Sequence, residues 1–135
     1  MLRAVADTHA FIWYLLGHPS LSNQARAFLD DILKSGDTVG ISTITLVEVV
    51  YLTEKGRLKE GILSEIETLL SDKMSMFVEL PLDRHVVQHM QRIPWKDIPD
   101  MPDRIIVATA LYWGVPVVSR DRQIHSANIP VPVIW

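Results

Sequence analysis

The 135-residue sequence has no cysteine. Disulfide frameworks, cysteine-based zinc sites, iron–sulfur clusters and thiol nucleophiles are therefore excluded, and a reducing cytoplasm is the expected compartment. Long apolar runs are also missing. Stretches such as Ala10–Leu16 and Ile105–Ala108 fall far short of the roughly 18 residues that a membrane span needs. A secretory leader fits poorly, because Asp7 and His9 interrupt the apolar stretch that must follow Arg3. Positive charge is not in excess either: 13 Lys and Arg stand against 16 Asp and Glu, a formal net charge of −3. A chain whose main task is gripping nucleic acid usually carries a basic surplus. What the sequence does have is 48% hydrophobic and only 21% charged residues, enough to fill a core and too apolar for disorder. No internal repeat, low-complexity stretch or long linker appears, so residues 1–135 are expected to form one domain.

The pattern alternates short apolar segments with amphipathic ones. Leu2–Ala6 reads as a buried strand and Thr8–Leu16 as a helix closed by Gly17. Ser22 is a candidate N-cap for a helix striped by Ala25, Phe28, Leu29, Ile32 and Leu33 and ended by Gly36. Thr38–Ser42 is the next strand, after which Thr43 caps a third helix running to about Lys55, stopped by Gly56. A helix striped by Ile62, Ile66, Leu69 and Leu70, a strand over Met76–Leu80 and a helix over Asp83–Arg92 follow. Ile93–Pro102 is irregular and holds Pro94, Pro99 and Pro102; Asp103–Trp113 is a nearly all-apolar helix, hence buried on most sides. Strands at Val115–Ser119 and Val133–Trp135 complete the chain, with a short turn or helix between them. Strands separated by helices imply right-handed crossovers. The expected fold is a three-layer α/β/α sandwich on a mostly parallel sheet.

Ligands of open parallel sheets bind beyond the carboxyl ends of the strands. Asp7 follows the first strand, Glu48 lies one turn into the helix after the second, Asp103 starts the buried helix, and Asp121 follows Ser119. Four carboxylates from four parts of the chain thus point to one rim. Each has a plainer role open to it. Asp7 and Asp103 suit helix caps and Asp121 suits a surface turn. Glu48 is mid-helix, where capping is no explanation and a structural ion pair is the alternative. Carboxylates set in apolar segments need a compensating group. Without cysteine, a hard oxygen-seeking ion, Mg²⁺ or Mn²⁺, is favoured over zinc. Such a site can activate water for attack on a phosphodiester.

The stretches Ala6-Asp7-Thr8-His9-Ala10, Ile41–Val49, Asp100–Ala110 and Val117-Val118-Ser119-Arg120-Asp121 together resemble the PIN domain. More narrowly, they resemble the VapC type of toxin ribonuclease found in bacterial toxin–antitoxin pairs. The resemblance implies a Mg²⁺- or Mn²⁺-dependent endoribonuclease, with Asp7, Glu48, Asp103 and Asp121 as metal-binding and catalytic residues. Thr8 and Ser119 match hydroxyl positions that hydrogen-bond to those acids. It also implies a homodimer, an antitoxin of the VapB type that blocks the site, and structured RNA such as transfer or ribosomal RNA as substrate. Two departures stand out. The loop before Asp103 is rich in proline and acids, with Asp97 and Asp100, of which Asp100 is open to a metal contact or to solvent, solvent being favoured; Ser119 replaces a more usual threonine.

Other signals point nowhere. His85 and His89 have the i, i+4 spacing of metal ligands, but Val86 stands where His-Glu-x-x-His needs glutamate. Gly56 and Gly61 have P-loop spacing without the lysine that must follow. Most of Phe11–Leu16 is expected in the core, with part of Trp13 and Tyr14 available to a partner. Arg104, Arg120 and Arg122 neighbour the acids, suited equally to RNA phosphate or to charge balance. Two rival readings are a catalytically silent scaffold acting by partner or RNA binding, and a phosphorylation-switched receiver domain. The second needs adjacent acids after the first strand, where only Asp7 stands. Setting the four acids aside leaves twelve against thirteen basic residues. The negative excess is then confined to one cavity, and an RNA substrate is compatible with the net charge.

Overall fold

In a computed structural model, which describes all 135 residues, strands and helices alternate along the whole chain. The elements are β1 (Leu2–Ala6), α1 (Thr8–Leu16), α2 (Asn23–Ser35), β2 (Thr38–Ser42), α3 (Thr43–Glu54) and α4 (Ile62–Ser71). They continue with β3 (Phe77–Leu80), α5 (Arg84–Met90), α6 (Met101–Trp113), β4 (Val117–Val118), α7 (Arg122–Ser126) and β5 (Val133–Ile134). All neighbouring strands pair in parallel, in the order β3-β2-β1-β4-β5. The expected α/β/α sandwich is therefore the observed one. A receiver-type sheet runs 2-1-3-4-5, so that rival reading does not fit this topology.

Strand alternation divides the core in two. Ala4, Ala6, Val39 and Ile41 point to one face, where they meet Phe11, Leu29, Ile32 and Ile66. Val5 and Val117 point to the other, against Val86, Ile98, Ile106 and Val107. Residues one apart on a strand face opposite sides, so β1 serves both cores. Gly40 of β2 sits where a Cβ would run into the Leu80 side chain, which makes a bare backbone a packing requirement there.

Several boundaries differ from the sequence reading, each for a local reason. Ser42, not Thr43, caps α3: its hydroxyl accepts the Ile44 N–H at 3.3 Å, while Thr43 donates its hydroxyl to Glu79 at 2.7 Å. The Asp100 carboxylate accepts the Asp103 N–H at 3.0 Å, so α6 begins two residues before Asp103, with Pro102 in its first turn. Proline is tolerated there because those N–H groups have no partner within the helix. β3 starts at Phe77, one residue late, and α5 is shorter at both ends, with Asp83 as its cap rather than its first residue and Met90 as its last. β4 and β5 contract to two residues each.

Arg104 settles the proline-rich loop. Its guanidinium donates to the carbonyls of Met90 (3.1 Å) and Ile93 (3.0 Å), and its Nε is buried without a partner. It braces the loop and forms no ion pair with Asp103.

Candidate active site

The strand order reverses at β1, whose chain continues to β2 on one side while β4 arrives on the other. Open parallel sheets leave a crevice at such a switch point. Asp7 leaves β1 into this crevice and Asp121 lies just beyond β4. Glu48 reaches it from α3 and Asp103 from the first turn of α6. The cavity measures about 280 Å³ and is lined by Asp7, Thr8, His9, Trp13, Glu48, Asp100, Asp103, Arg120 and Asp121. All four acids singled out in the sequence thus meet in one place, joined by Asp100.

Each acid is held by short-range chemistry. Asp7 donates its N–H to the Val118 carbonyl at 3.0 Å, which ties β1 to β4. Its carboxylate caps α1 by accepting the Ala10 N–H at 2.9 Å and also takes a hydrogen bond from Ser119. The Ser119 hydroxyl in turn accepts the Asp121 N–H at 3.0 Å. Asp121 caps α7, accepting from Gln123 (2.8 Å) and Ile124 (3.1 Å). The plainer roles weighed for Asp7 and Asp121 are therefore real, and they coexist with a place in the cavity. Glu48 accepts the Thr8 hydroxyl at 2.5 Å. Because Thr8 spends its proton on Glu48, the Thr45 hydroxyl 3.0 Å away is the donor to Thr8. The sequence reading missed Thr45. Its signal was a helical spacing of three from Glu48, which puts both on one face of α3.

The electrostatics follow from crowding and burial. Burial raises the Asp7 carboxyl above its usual range, partly offset by the hydrogen bonds from Ser119 and Ala10. Burial also raises Glu48, against the Thr8 hydrogen bond that lowers it. Asp103 is pushed up to about 7, first by burial and then by repulsion from Asp100, Asp121, Asp7 and Glu48. The ion pairs of the molecule join the Met1 amine and Arg3 to Asp37, Arg3 to Asp31, and Lys59 to Glu65. None reaches the cavity, so the structural ion pair considered for Glu48 is not there. The one arginine on the cavity wall, Arg120, lies with its guanidinium carbon 4.6 Å from the centre of the Trp13 ring.

An all-oxygen donor set with strained, unneutralised carboxylates suits a hard divalent cation. No three side chains stand close enough to enclose an ion by direct contact, so the fit rests on the chemistry of the donors alone. His85 and His89 lie elsewhere, His85 stacked on Tyr112 with ring centroids 5.6 Å apart and His89 edge-on to it at 5.2 Å.

Comparison with known proteins gives a consistent picture. The family model for the PIN domain matches residues 4–129. Ribonuclease VapC22 of Mycobacterium tuberculosis is 25% identical, with the whole of both chains covered. Among solved structures, DNA-bound VapBC from Salmonella typhimurium superposes with a TM-score of 0.72 at 22% identity, covering 98% of this chain and 97% of that one. VapBC2 from Rickettsia felis, bound to a DNA fragment from its promoter, gives 0.71 at 16% identity with both chains fully covered. FitAcB from Neisseria gonorrhoeae gives 0.63 at 25% identity, covering 98% and 96%.

Proposed function

Because the chain belongs to the PIN domain family, we propose that it is a metal-dependent endoribonuclease and the toxin of a toxin–antitoxin pair. One observation carries the reading: five carboxylates line a single cavity at the switch point of the sheet, and none has a cationic partner within the protein. A silent scaffold would have no reason to keep charges that oppose its own folding. The full-length similarity to a ribonuclease points the same way.

In this reading Asp7, Glu48, Asp103 and Asp121 hold Mg²⁺ or Mn²⁺. The ion, when bound, neutralises the carboxylates, offsets charge developing on the phosphate and makes water a stronger acid. The chain's contribution is to fix the donors. Ser119 restrains Asp7, and the relay from Thr45 through Thr8 restrains Glu48, so neither carboxylate swings freely as RNA enters. Trp13 and His9, whose rings lie 5.4 Å apart, line the cavity beside the acids.

The remaining features support partners. No helix is long and apolar enough to cross a membrane. An apolar groove of about 410 Å³ between α3 and α4, lined by Leu46, Val47, Val50, Leu63 and Leu70, suits a protein partner. A second copy and an antitoxin of the VapB type are the partners we propose. The decisive experiment incubates the purified protein with total RNA and Mg²⁺ or Mn²⁺, beside Asp7→Asn. Cleavage by the parent alone supports the reading; intact RNA in both removes it.

A further inference from the structure

Next to the acidic cavity lies a region of opposite character. A shallow groove of about 440 Å³ is lined by Arg120, Arg122, His125, Ser126 and Trp135, with no acid among them. Arg120 lines both spaces, so the two are contiguous. Trp13 stands at the junction. Its ring is 6.1 Å from that of Trp135, and the Arg120 guanidinium lies over its face. Cation–π contact with the ring face leaves the edge N–H donors of the guanidinium free. Asp121 sits between Arg120 and Arg122 in sequence, yet neither arginine pairs with any carboxylate. Asp121 is instead occupied in capping α7.

The groove is also anchored to the site. His125 Nε2 donates to the Ser119 carbonyl at 2.6 Å, so α7 and the Ser119-Arg120-Asp121 turn are tied together. A side chain that shapes the groove thereby fixes the residue that restrains Asp7.

Resting on the nuclease reading above, the geometry points to this groove as the exit path of the RNA strand. Arg120 and Arg122 hold phosphates on one side of the scissile bond, and an unpaired base stacks on Trp135, since Trp13 is already covered by Arg120 and stacked with His18. Free guanidinium donors suit phosphate oxygens, and indole faces suit bases of any identity. Bases inside an A-form duplex are already stacked and cannot meet an indole.

The test uses a labelled single-stranded oligoribonucleotide of mixed sequence and the same strand annealed to its complement. Binding is read on the Asp7→Asn protein with Mg²⁺ present, and cleavage kinetics on proteins with Asp7 intact. Arg122→Ala is expected to raise KM about five- to ten-fold with kcat changed less than about two-fold. It should also flatten the salt dependence of single-strand binding by about 0.7 in slope, the share of one phosphate. Trp135→Ala should weaken single-strand binding about ten-fold and Trp135→Phe far less, since a ring remains. Trp135 packs partly against the core; if its alanine variant fails to fold, the Arg122→Ala result and the Arg120→Ala, Arg122→Ala double variant decide. Unchanged KM and salt slope in that double variant, or equal affinity for duplex, overturns the groove assignment while the nuclease reading stands. Absence of cleavage by the parent protein removes the nuclease reading, and the binding arms still judge the groove.

Discussion

Carboxylates stand at both edges of the parallel sheet, and the two edges treat them in opposite ways. At the amino edge Asp37 precedes β2 and accepts hydrogen bonds from Arg3 (3.0 Å), the Met1 amine (3.2 Å) and Ser35 (3.0 Å). These partners, Arg3 foremost, hold its carboxyl below the usual range. At the carboxyl edge Asp7, Glu48 and Asp103 are all raised instead. The same strands carry both clusters, so the contrast is one of partners rather than of scaffold. An acid that the chain neutralises itself belongs to the fold. Acids left to repel one another do nothing for the fold, and the proposed cation would relieve them.

The largest break in this contrast comes from Asp7→Asn. Cleavage should fall by at least about a hundred-fold, measured on RNA in Mg²⁺. The same change should raise the melting temperature of the cation-free protein, because asparagine still caps a helix and the buried charge is gone. A smaller effect is expected from Thr8→Val, which removes the donor to Glu48: activity should drop about ten- to hundred-fold with the melting temperature little changed.

Cation binding sharpens the contrast from the other side. Mg²⁺ at a hundred times its dissociation constant should stabilise the protein by about 2.7 kcal/mol, seen as a rise in melting temperature. Asp103→Asn should shrink that rise and Asp37→Asn should leave it intact.

The pH dependence of the cation-free protein separates the two edges. Asp103 has a folded pKa of about 7, against about 3.9 for an unfolded aspartate. Between those values the folded state holds a proton that the unfolded state lacks, so stability falls as pH rises from about 4 to about 7. Solvent reaches Asp103 in part, which keeps this slope modest. Asp37 has the reverse sign. Its lowered pKa contributes stability above about 4, lost as pH falls through the folded value. Melting curves across pH 3 to 8, with and without Mg²⁺, should show a maximum near pH 4 to 5 that flattens when the ion is added. The smallest effect is that of Asp37→Asn on activity: the cleavage rate should stay within about two-fold of the parent, with only a slight loss of melting temperature.

Much of this was legible in the sequence because the signals are local. Hydrophobic periods place the strands and the longer helices, though not all their ends, and leave α7 open between turn and helix; the acids at strand ends follow from the parallel topology. What was not legible depends on contacts between distant segments. Nothing in the run around Arg104 says that its guanidinium turns back to Met90 and Ile93. The stacking of Arg120 on Trp13 joins residues more than a hundred positions apart. Asp100 was expected to be solvated, and it is exposed, but its distance of three from Asp103 made it the cap that set the start of α6. Ser42 displaced Thr43 as a cap by a single residue, a choice decided by Glu79 offering Thr43 a better partner.

Asp7, Asp100 and Asp121 each begin a helix as well as lining the cavity. Their backbone duties require a side-chain oxygen and no charge, and asparagine supplies one. Asparagine at these positions therefore separates two duties that aspartate combines: the cap survives and the charge is lost. Such variants keep the architecture of the crevice while changing its electrostatics alone.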